Sequence, residues 1–352
     1  MKTIILASVA LFAGALTVSA TPNALDQMAF NGGAGWGRTP LDASTPYNAI
    51  SGDGGEQNQV YAAQTSGGIS AWGFDKAWSA GTWAPTSVVG SGTFTALTRD
   101  ATRSNIVFGA RSTGGIVQYE YNGTTWNANV VDNSSRVYTS LTYDSQNQNK
   151  IYGASSSGLY EVTFAGGWNA NLLTSNAYSQ VSANGTNEGL KLFGLNGSGN
   201  IDSIYFQSGS GWLTAVVDNT NTYSTIVGDG LLSNKVYGAR TTGGINELSF
   251  AGGWVSTNIV GTGNYTALAN RDQTGNNLYG STSTGEFNEI AYGGAWNSTT
   301  LFTGQTYNAL VSDGARDPAI FGVTVVPEPS TVAYWGLAGI AAIAFRMRRR
   351  AS

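Results

Sequence analysis

Neither cysteine nor histidine occurs in the 352 residues of this chain. Thiolate nucleophiles, disulfides, Cys or His metal sites and a His general base are therefore excluded, and with them most hydrolase triads and zinc chemistry. Carboxylates are the acid–base groups that remain. Three glutamates, Glu161, Glu247 and Glu289, share one recurring place, each seven residues before a tryptophan. The matching places elsewhere hold Gln27, Ala71, Gln118 and Ser203. Two carboxylates can serve a glycosidase, but only where unlike environments keep one protonated and the other ionised. Equivalent positions in a repeat give like environments, so no enzymatic activity is expected.

Binding is the chemistry this pattern suits better. Lys150 precedes Glu161, and Lys235 stands twelve residues before Glu247. Aromatic faces stack on pyranose rings while Lys, Glu and Asn nearby bond hydroxyls, and repeated weak sites gain by avidity. The candidate ligand-binding residues are Lys150, Glu161, Lys235, Glu247 and Glu289. A second polar series, Asp53, Asp100, Asp144, Asn184, Asp229, Asp272 and Asp313, follows an aromatic by six or seven residues each time. These lie in separate turns without a dense Asp-x-Asp-x-Asp run, so they read as Asx turns rather than calcium loops. No metal and no cofactor are expected. Arg111 and Arg240, in matching Gly-Ala-Arg-Ser/Thr turns, read as solvated charges on exposed turns.

The elements that must position these residues repeat. Tyr47, Phe94, Tyr138, Tyr178, Tyr223, Tyr265 and Tyr307 each open a unit of 40 to 47 residues. Residues 223–264 show the unit clearly: Tyr-Ser-Thr-Ile-Val, Lys-Val-Tyr-Gly-Ala, Gly-Ile-Asn-Glu-Leu-Ser-Phe and Trp-Val-Ser-Thr-Asn-Ile-Val. Four short β-branched and aromatic runs separated by Gly, Asn and Asp predict a four-stranded antiparallel blade. That period is the signature of a β-propeller. Trp83, Trp126, Trp168, Trp212, Trp254 and Trp296 precede the next opening aromatic by 10 to 12 residues and read as inter-blade core.

The seventh unit stops after its second strand, near Val325. Its missing half stands at the other end, where Leu25 to Phe30, Gly32-Gly33 and Trp36 parallel Ile245 to Phe250, Gly252-Gly253 and Trp254. The expected fold is therefore an all-β, seven-bladed propeller whose N-terminal strands close the last blade, with Phe30 and Trp36 filling its core. An open solenoid would need polar capping repeats, whereas each end here supplies what the other lacks.

The pattern Lys-Val-Tyr, Gly-Ile-x-Glu, Gly-Gly-Trp resembles the repeat of fucose-binding propeller lectins. That resemblance implies a basic residue before the Val-Tyr-like pair and a Glu on the next strand gripping a sugar, with an aromatic from the adjacent blade. Lys150 with Glu161, and Lys235 with Glu247, occupy those positions. Lys stands where those lectins carry Arg, other units have Gln59, Ile106 or Asn277 there, and those lectins have six blades.

The two ends read differently from the body. Lys2, the apolar run from Ile4 to Leu16 and Val18-Ser19-Ala20 form a signal peptide over residues 1–20. Residues 21–325 are the propeller. In 326–352, Val326-Pro327-Glu328-Pro329-Ser330-Thr331 precedes an uncharged apolar segment and Arg346, Arg348, Arg349 and Arg350. A helix over 331–345 would be short for a bilayer, about 22 Å against about 30 Å, and the arginines place its end in the cytoplasm. This tail resembles the PEP-CTERM sorting signal. The resemblance implies that an exosortase, a membrane transpeptidase, recognises Pro327, Glu328 and Pro329.

Charged residues are 11% of the chain, and the body holds 12 positive against 20 negative charges once Lys2, Glu328 and the tail arginines are set aside. Nucleic acid, which needs clustered Lys and Arg, is not an expected partner. The sequence thus predicts an exported, non-enzymatic surface or matrix protein that binds or organises extracellular polysaccharide. Before processing it would be held in the inner membrane through 331–345. The alternatives are a purely structural matrix or sheath protein, and a divergent carboxylate-dependent glycosidase or lyase.

Overall fold

Short runs of Val, Ile, Thr and aromatic residues, set off by Gly, Asn and Asp, favour pleated strands joined by tight turns. The computed structural model describes residues 25–324 except 31–34, 54–57, 75, 77–81, 101–102, 185–190, 233, 272–274 and 314–318. The expected signal peptide, the sorting tail with its helix, and Asp272 lie outside the described residues.

Among the described residues, 28 strands form seven four-stranded antiparallel sheets. In blades 1 to 6 the strands follow chain order from the innermost, here A, to the outermost, D. Blade 3, for example, comprises Tyr138–Tyr143, Lys150–Ser155, Gly158–Phe164 and Trp168–Thr174. Blade 7 takes A (Tyr307–Ser312) and B (Ala319–Thr324) from one end of the fold, and C (Leu25–Phe30) and D (Trp36–Asp42) from the other. Leu25 lies opposite Val323 and Met28 opposite Ile320, so the expected seam is present. Because direction alternates within a blade, A–B turns and C–D hairpins open on one face, the upper. B–C turns and D–A links open on the lower.

Seven buried clusters stand among the described residues, each straddling one blade-to-blade interface. The opening aromatics anchor them. The Tyr138 ring lies so close to Gly153 of the adjacent B strand that a Cβ there would sit 2.5 Å from it. The recurring Tyr-Gly-Ala of the B strands therefore makes room for a ring. Each such tyrosine also needs a partner for its buried hydroxyl. Tyr138 donates to Asp132 at 2.7 Å, Tyr223 to Asp218 at 2.6 Å and Tyr47 to Asp42 at 2.8 Å, all at D-strand ends. Tyr307 donates to Asp26 at 2.8 Å across the seam.

The seam corrects one detail. Phe30 is 48% exposed at a hairpin tip, while Leu25 and Met28 are fully buried. Leu25 and Met28, three residues apart, point to opposite faces of the strand and enter the clusters of two different interfaces, whereas Phe30, on the face of Met28, is the last residue of the strand and falls beyond the rim.

The A strands leave one edge facing the axis, and neighbouring blades satisfy much of it. Thr95 Oγ1 donates to Tyr138 O at 2.6 Å, Thr266 Oγ1 to Tyr307 O at 2.7 Å and Asn48 Nδ2 to Phe94 O at 2.9 Å. Gln180 grips Ile226 twice, accepting from its N–H at 3.0 Å and donating to its C=O at 2.9 Å. Cavities of about 210 and 230 Å³ lie along this axis.

Candidate functional site

The described members of the Asp and Asn series sit at the A–B turns, as the spacing required, but they do more than turn the chain. Asp144 Oδ1 accepts from the N–H groups of Gln146 and Asn147 at 2.8 and 3.0 Å, an Asx turn. The second oxygen of these carboxylates reaches the next blade. Asp53 Oδ2 accepts from Asn105 N at 2.7 Å, Asp100 Oδ2 from Asn149 N at 2.9 Å, and Asp229 Oδ2 from Asn276 N at 3.0 Å. Those asparagines have φ of 60°, 53° and 58°, a left-handed conformation that Asn tolerates better than most residues. Asp53, Asp100 and Asp229 are thus buried clasps between blades. Among the described residues no cluster of acidic groups can hold a metal ion.

Sequence reasoning missed the clasp because its partner is a backbone N–H, which carries no residue signal. The recurring Asn before the B strand was the available sign.

The lysines and glutamates come together immediately outside the clasps, on the upper face. Register places Glu161 opposite Tyr152, Glu247 opposite Tyr237 and Glu289 opposite Tyr279. Ala71, Gln118, Ser203 and Gln27 fall opposite Tyr61, Phe108, Phe193 and Phe321, so all seven positions are equivalent. Lys150 Nζ lies 2.8 Å from Glu161 and 3.5 Å from Asp144. Lys235 Nζ lies 3.1 Å from Glu247 and also donates to Asn276 of blade 6. Glu289 has no lysine at this place; it accepts from Asn277 and Tyr279, both at 3.5 Å, at the outer limit for a hydrogen bond. These side chains are half-buried, with Lys150 22% and Glu161 16% exposed, so each pair keeps an edge toward solvent.

Burial, then the nearby Asp144 and Glu161 carboxylates, pushes the Tyr152 hydroxyl far above its ordinary range. Burial and Asp229 do the same to Tyr237. Both phenols remain protonated donors. The glutamates stand on three separate blades, each tied to its own Lys, Asn or Tyr.

A tryptophan from the following blade covers each tyrosine. Trp212 meets Tyr152 edge-on at 6.0 Å, Trp296 meets Tyr237 at 5.8 Å and Trp36 meets Tyr279 at 5.4 Å. The same contact recurs at every interface, where Trp83, Trp126, Trp168 and Trp254 meet Phe321, Tyr61, Phe108 and Phe193. The tryptophans are therefore inter-blade core, as their spacing suggested. Their outer edges carry a second aromatic, of which the sequence reading singled out only Phe30, and that as core. Phe206 packs on Trp212, Tyr292 on Trp296 and Phe30 on Trp36. These rings, with Phe164 and Phe250, are 44–62% exposed at the C–D hairpin tips.

The interface between blades 3 and 4 therefore runs from exposed Phe206 over Trp212 to Tyr152, Lys150 and Glu161. That between blades 5 and 6 runs from Tyr292 over Trp296 to Tyr237, Lys235 and Glu247. An apolar ledge beside a paired charge can stack a flat apolar ring face and bond its polar rim.

Arg111 and Arg240 depart from expectation. Both are half-buried, and Arg240 Nη2 donates to Gly261 O at 3.3 Å. In blades 2 and 5 the B–C turn folds against the D–A link, Gly115 N–H donating to Arg136 O and Gly244 N–H to Gly263 O, which half-covers the arginine beside it.

The fold defines a β-propeller of seven blades whose interfaces repeat one Trp–Tyr or Trp–Phe contact. Solved structures agree with the fold. YCF48 from Cyanidioschyzon merolae matches with a TM-score of 0.55 and 12% identity, over 79% of this chain and 95% of that one. The Cps50 (Swd1) β-propeller domain of Myceliophteria thermophila matches with a TM-score of 0.59 and 10% identity, over 80% and 97%. No curated protein matches the chain. Residues 325–350 match the PEP-CTERM protein-sorting motif, which implies export and recognition by an exosortase-type enzyme. None of these matches is to a fucose-binding lectin, and Lys150 and Lys235 are engaged by their own glutamates, so the likeness to that repeat rests on the blade pattern.

Proposed function

We propose that this chain is an exported, non-enzymatic propeller that binds extracellular polysaccharide at its upper-face clefts and is delivered to the cell surface by exosortase-type processing. In this reading residues 1–20 are the signal peptide, 21–325 the mature body and 326–352 the sorting signal, inserted with its arginines in the cytoplasm. The observation that carries the binding reading is the row of exposed aromatic rings seated on inter-blade tryptophans, two of them beside a Lys–Glu pair. Uncharged sugar faces suit such ledges, and multiple clefts on one rigid ring favour a polymer through avidity. The glutamates stand on different blades, and Asp144, the carboxylate nearest Glu161, is fully buried and bonded within its own turn, which supports a non-catalytic role, since acid–base chemistry on a sugar needs two accessible carboxyl groups about 5–9.5 Å apart in unlike surroundings.

The test is a glycan array probed with the mature body. Saturable binding that free saccharide competes, and that weakens in the Glu161→Gln, Glu247→Gln double variant, is the expected result. A clean array would leave the purely structural alternative. Hydrolysis or elimination products in the same incubation would instead favour an enzyme.

A further inference from the structure

At the lower end of each blade one B-strand residue stands opposite the opening aromatic, and in two blades it is an arginine: Arg111 opposite Phe94 and Arg240 opposite Tyr223. The counterparts in blades 1, 3 and 6 are neutral side chains that their own B–C turns satisfy. Gln64 donates to Ser70 Oγ at 2.9 Å, Ser155 to Gly158 O at 3.1 Å and Thr282 to Glu286 O at 3.4 Å. Closing the turn therefore needs no guanidinium.

Blades 2 and 5 nonetheless carry the same run, Gly-Ala-Arg-Ser/Thr-Thr-Gly-Gly, over 109–115 and 238–244. Its last glycine makes room for the guanidinium. A Cβ on Gly115 would sit 2.8 Å from Arg111 Nη2, and one on Gly244 2.5 Å from Arg240 Nη2. Both glycines hold positive φ, 78° and 84°. Among the described residues neither arginine has an acidic partner. Arg111 donates no hydrogen bond, Arg240 donates only to Gly261 O, and the Nε of each is buried without an acceptor. Asp132, which ends the D strand beside Arg111, is taken by Arg136, Tyr138 and Ser134, and the matching residue of blade 5 is Val260.

A half-buried guanidinium is costly unless its donors are met, and its planar fork matches a carboxylate through two parallel hydrogen bonds. Two such forks on one face, three blades apart in a ring of seven, suit a single polymer carrying carboxylates at intervals. Each contact is weak, and the pair gains by avidity. The body's 12 positive against 20 negative charges would repel a densely charged polyanion. We propose that Arg111 and Arg240 are two equivalent carboxylate-binding sites on the lower face, and that their ligand is a sparsely charged acidic polysaccharide. This goes beyond the upper-face reading, since it uses the opposite face, and either can fail without the other.

The body, whose seven blades close within residues 25–324, is passed at low ionic strength over immobilised pectin of two grades, partly and fully methyl-esterified. The partly esterified polymer should bind it more tightly. Arg111→Gln combined with Arg240→Gln should remove that excess, a loss of roughly tenfold, with each single variant in between. Arg111→Lys with Arg240→Lys keeps the charge without the fork and should recover only part of it. On the wild type, free glucuronate should release the body where the same concentration of glucose does not. Guanidiniums that merely brace the D–A links predict instead a lowered melting temperature of the double Gln variant with the excess intact. That result, equal retention on the two grades, or retention by dextran sulfate or polyglutamate in place of pectin would overturn the assignment.

Discussion

The backbone N–H of Asn58 donates to Asp313 Oδ2 at 2.8 Å, across 255 residues of sequence. Asn58 has φ of 57°, like its counterparts in blades 2, 3 and 6, so this bond is the inter-blade clasp repeated at the seam. The ring is therefore closed twice, by the strand pair of blade 7 and by a carboxylate reaching from blade 7 to blade 1.

Asp313 should make stability depend on pH. Burial, partly offset by the Asn58 N–H and by Arg99, raises its carboxyl from 3.8 to about 7. A group whose folded value lies above its unfolded one stabilises the fold at low pH and loses that contribution as pH rises through the folded value. Asp313 alone should thus lower the melting temperature between pH 4 and 7. Asp313→Asn keeps an acceptor for Asn58 and should flatten that part of the profile, as calorimetry of the mature body would show. Asp313→Ala should cost about 1–3 kcal/mol below pH 4, where Asp313 is protonated, by orphaning the N–H, and progressively less as pH rises.

Asp42 should act in the opposite sense. Burial raises its carboxyl, but hydrogen bonds from Thr45, Ser44 and Tyr47 outweigh this and hold it at about 2. A depressed carboxylate contributes stability above its unfolded value and loses it as pH falls toward the folded one. The loss belongs between about pH 4 and 2, and Asp42→Asn should remove that acid sensitivity in a chemical-denaturation series.

Deleting residues 21–46 should abolish the closed ring. It removes fully buried Leu25 and Met28, each worth about 2–5 kcal/mol in a packed core, and strips the partner from strand Ala319–Thr324. The truncated body should aggregate or melt far below the intact one. An unchanged melting temperature would mean that the seam contributes nothing to closure.

Phe206 and Trp212 should separate binding from stability, although their rings touch at 5.9 Å. Phe206 is 62% exposed, so Phe206→Ala should cost no more than about 0.5 kcal/mol while weakening glycan capture. Trp212→Ala opens the interface with Tyr152 and should cost about 3–5 kcal/mol. Denaturant midpoints and array signals measured on the same preparations would show whether the two effects part as expected.

Replacing Pro327-Glu328-Pro329 with alanines should leave full-length protein in the membrane fraction of the native host, while the wild type loses its tail. Fractionation and mass spectrometry of the mature C-terminus provide the readout. Arg350 retained on wild-type and variant alike would show that the segment is a plain anchor.

The sequence by itself determined the blade count and the seam. Strand alternation, turn residues and the spacing of Trp and Tyr are local signals, and seven copies of them set the period even where one copy is split between Leu25 and Thr324. It also placed Glu161, Glu247 and Glu289 at equivalent positions and identified the sorting motif, which is a contiguous pattern. Tertiary structure decided what those positions touch. That Asp53 clasps Asn105, that Trp212 covers Tyr152 and that Phe206 stands exposed beside them depend on how one blade is rotated against the next. That rotation is set by packing between residues about 40 to 60 apart, and no local pattern encodes it. Lys150 and Glu161 lie near each other through strand pairing, which sequence could anticipate; the aromatic ledge that makes their cleft a candidate site comes from the neighbouring blade, and only the closed ring brings it there.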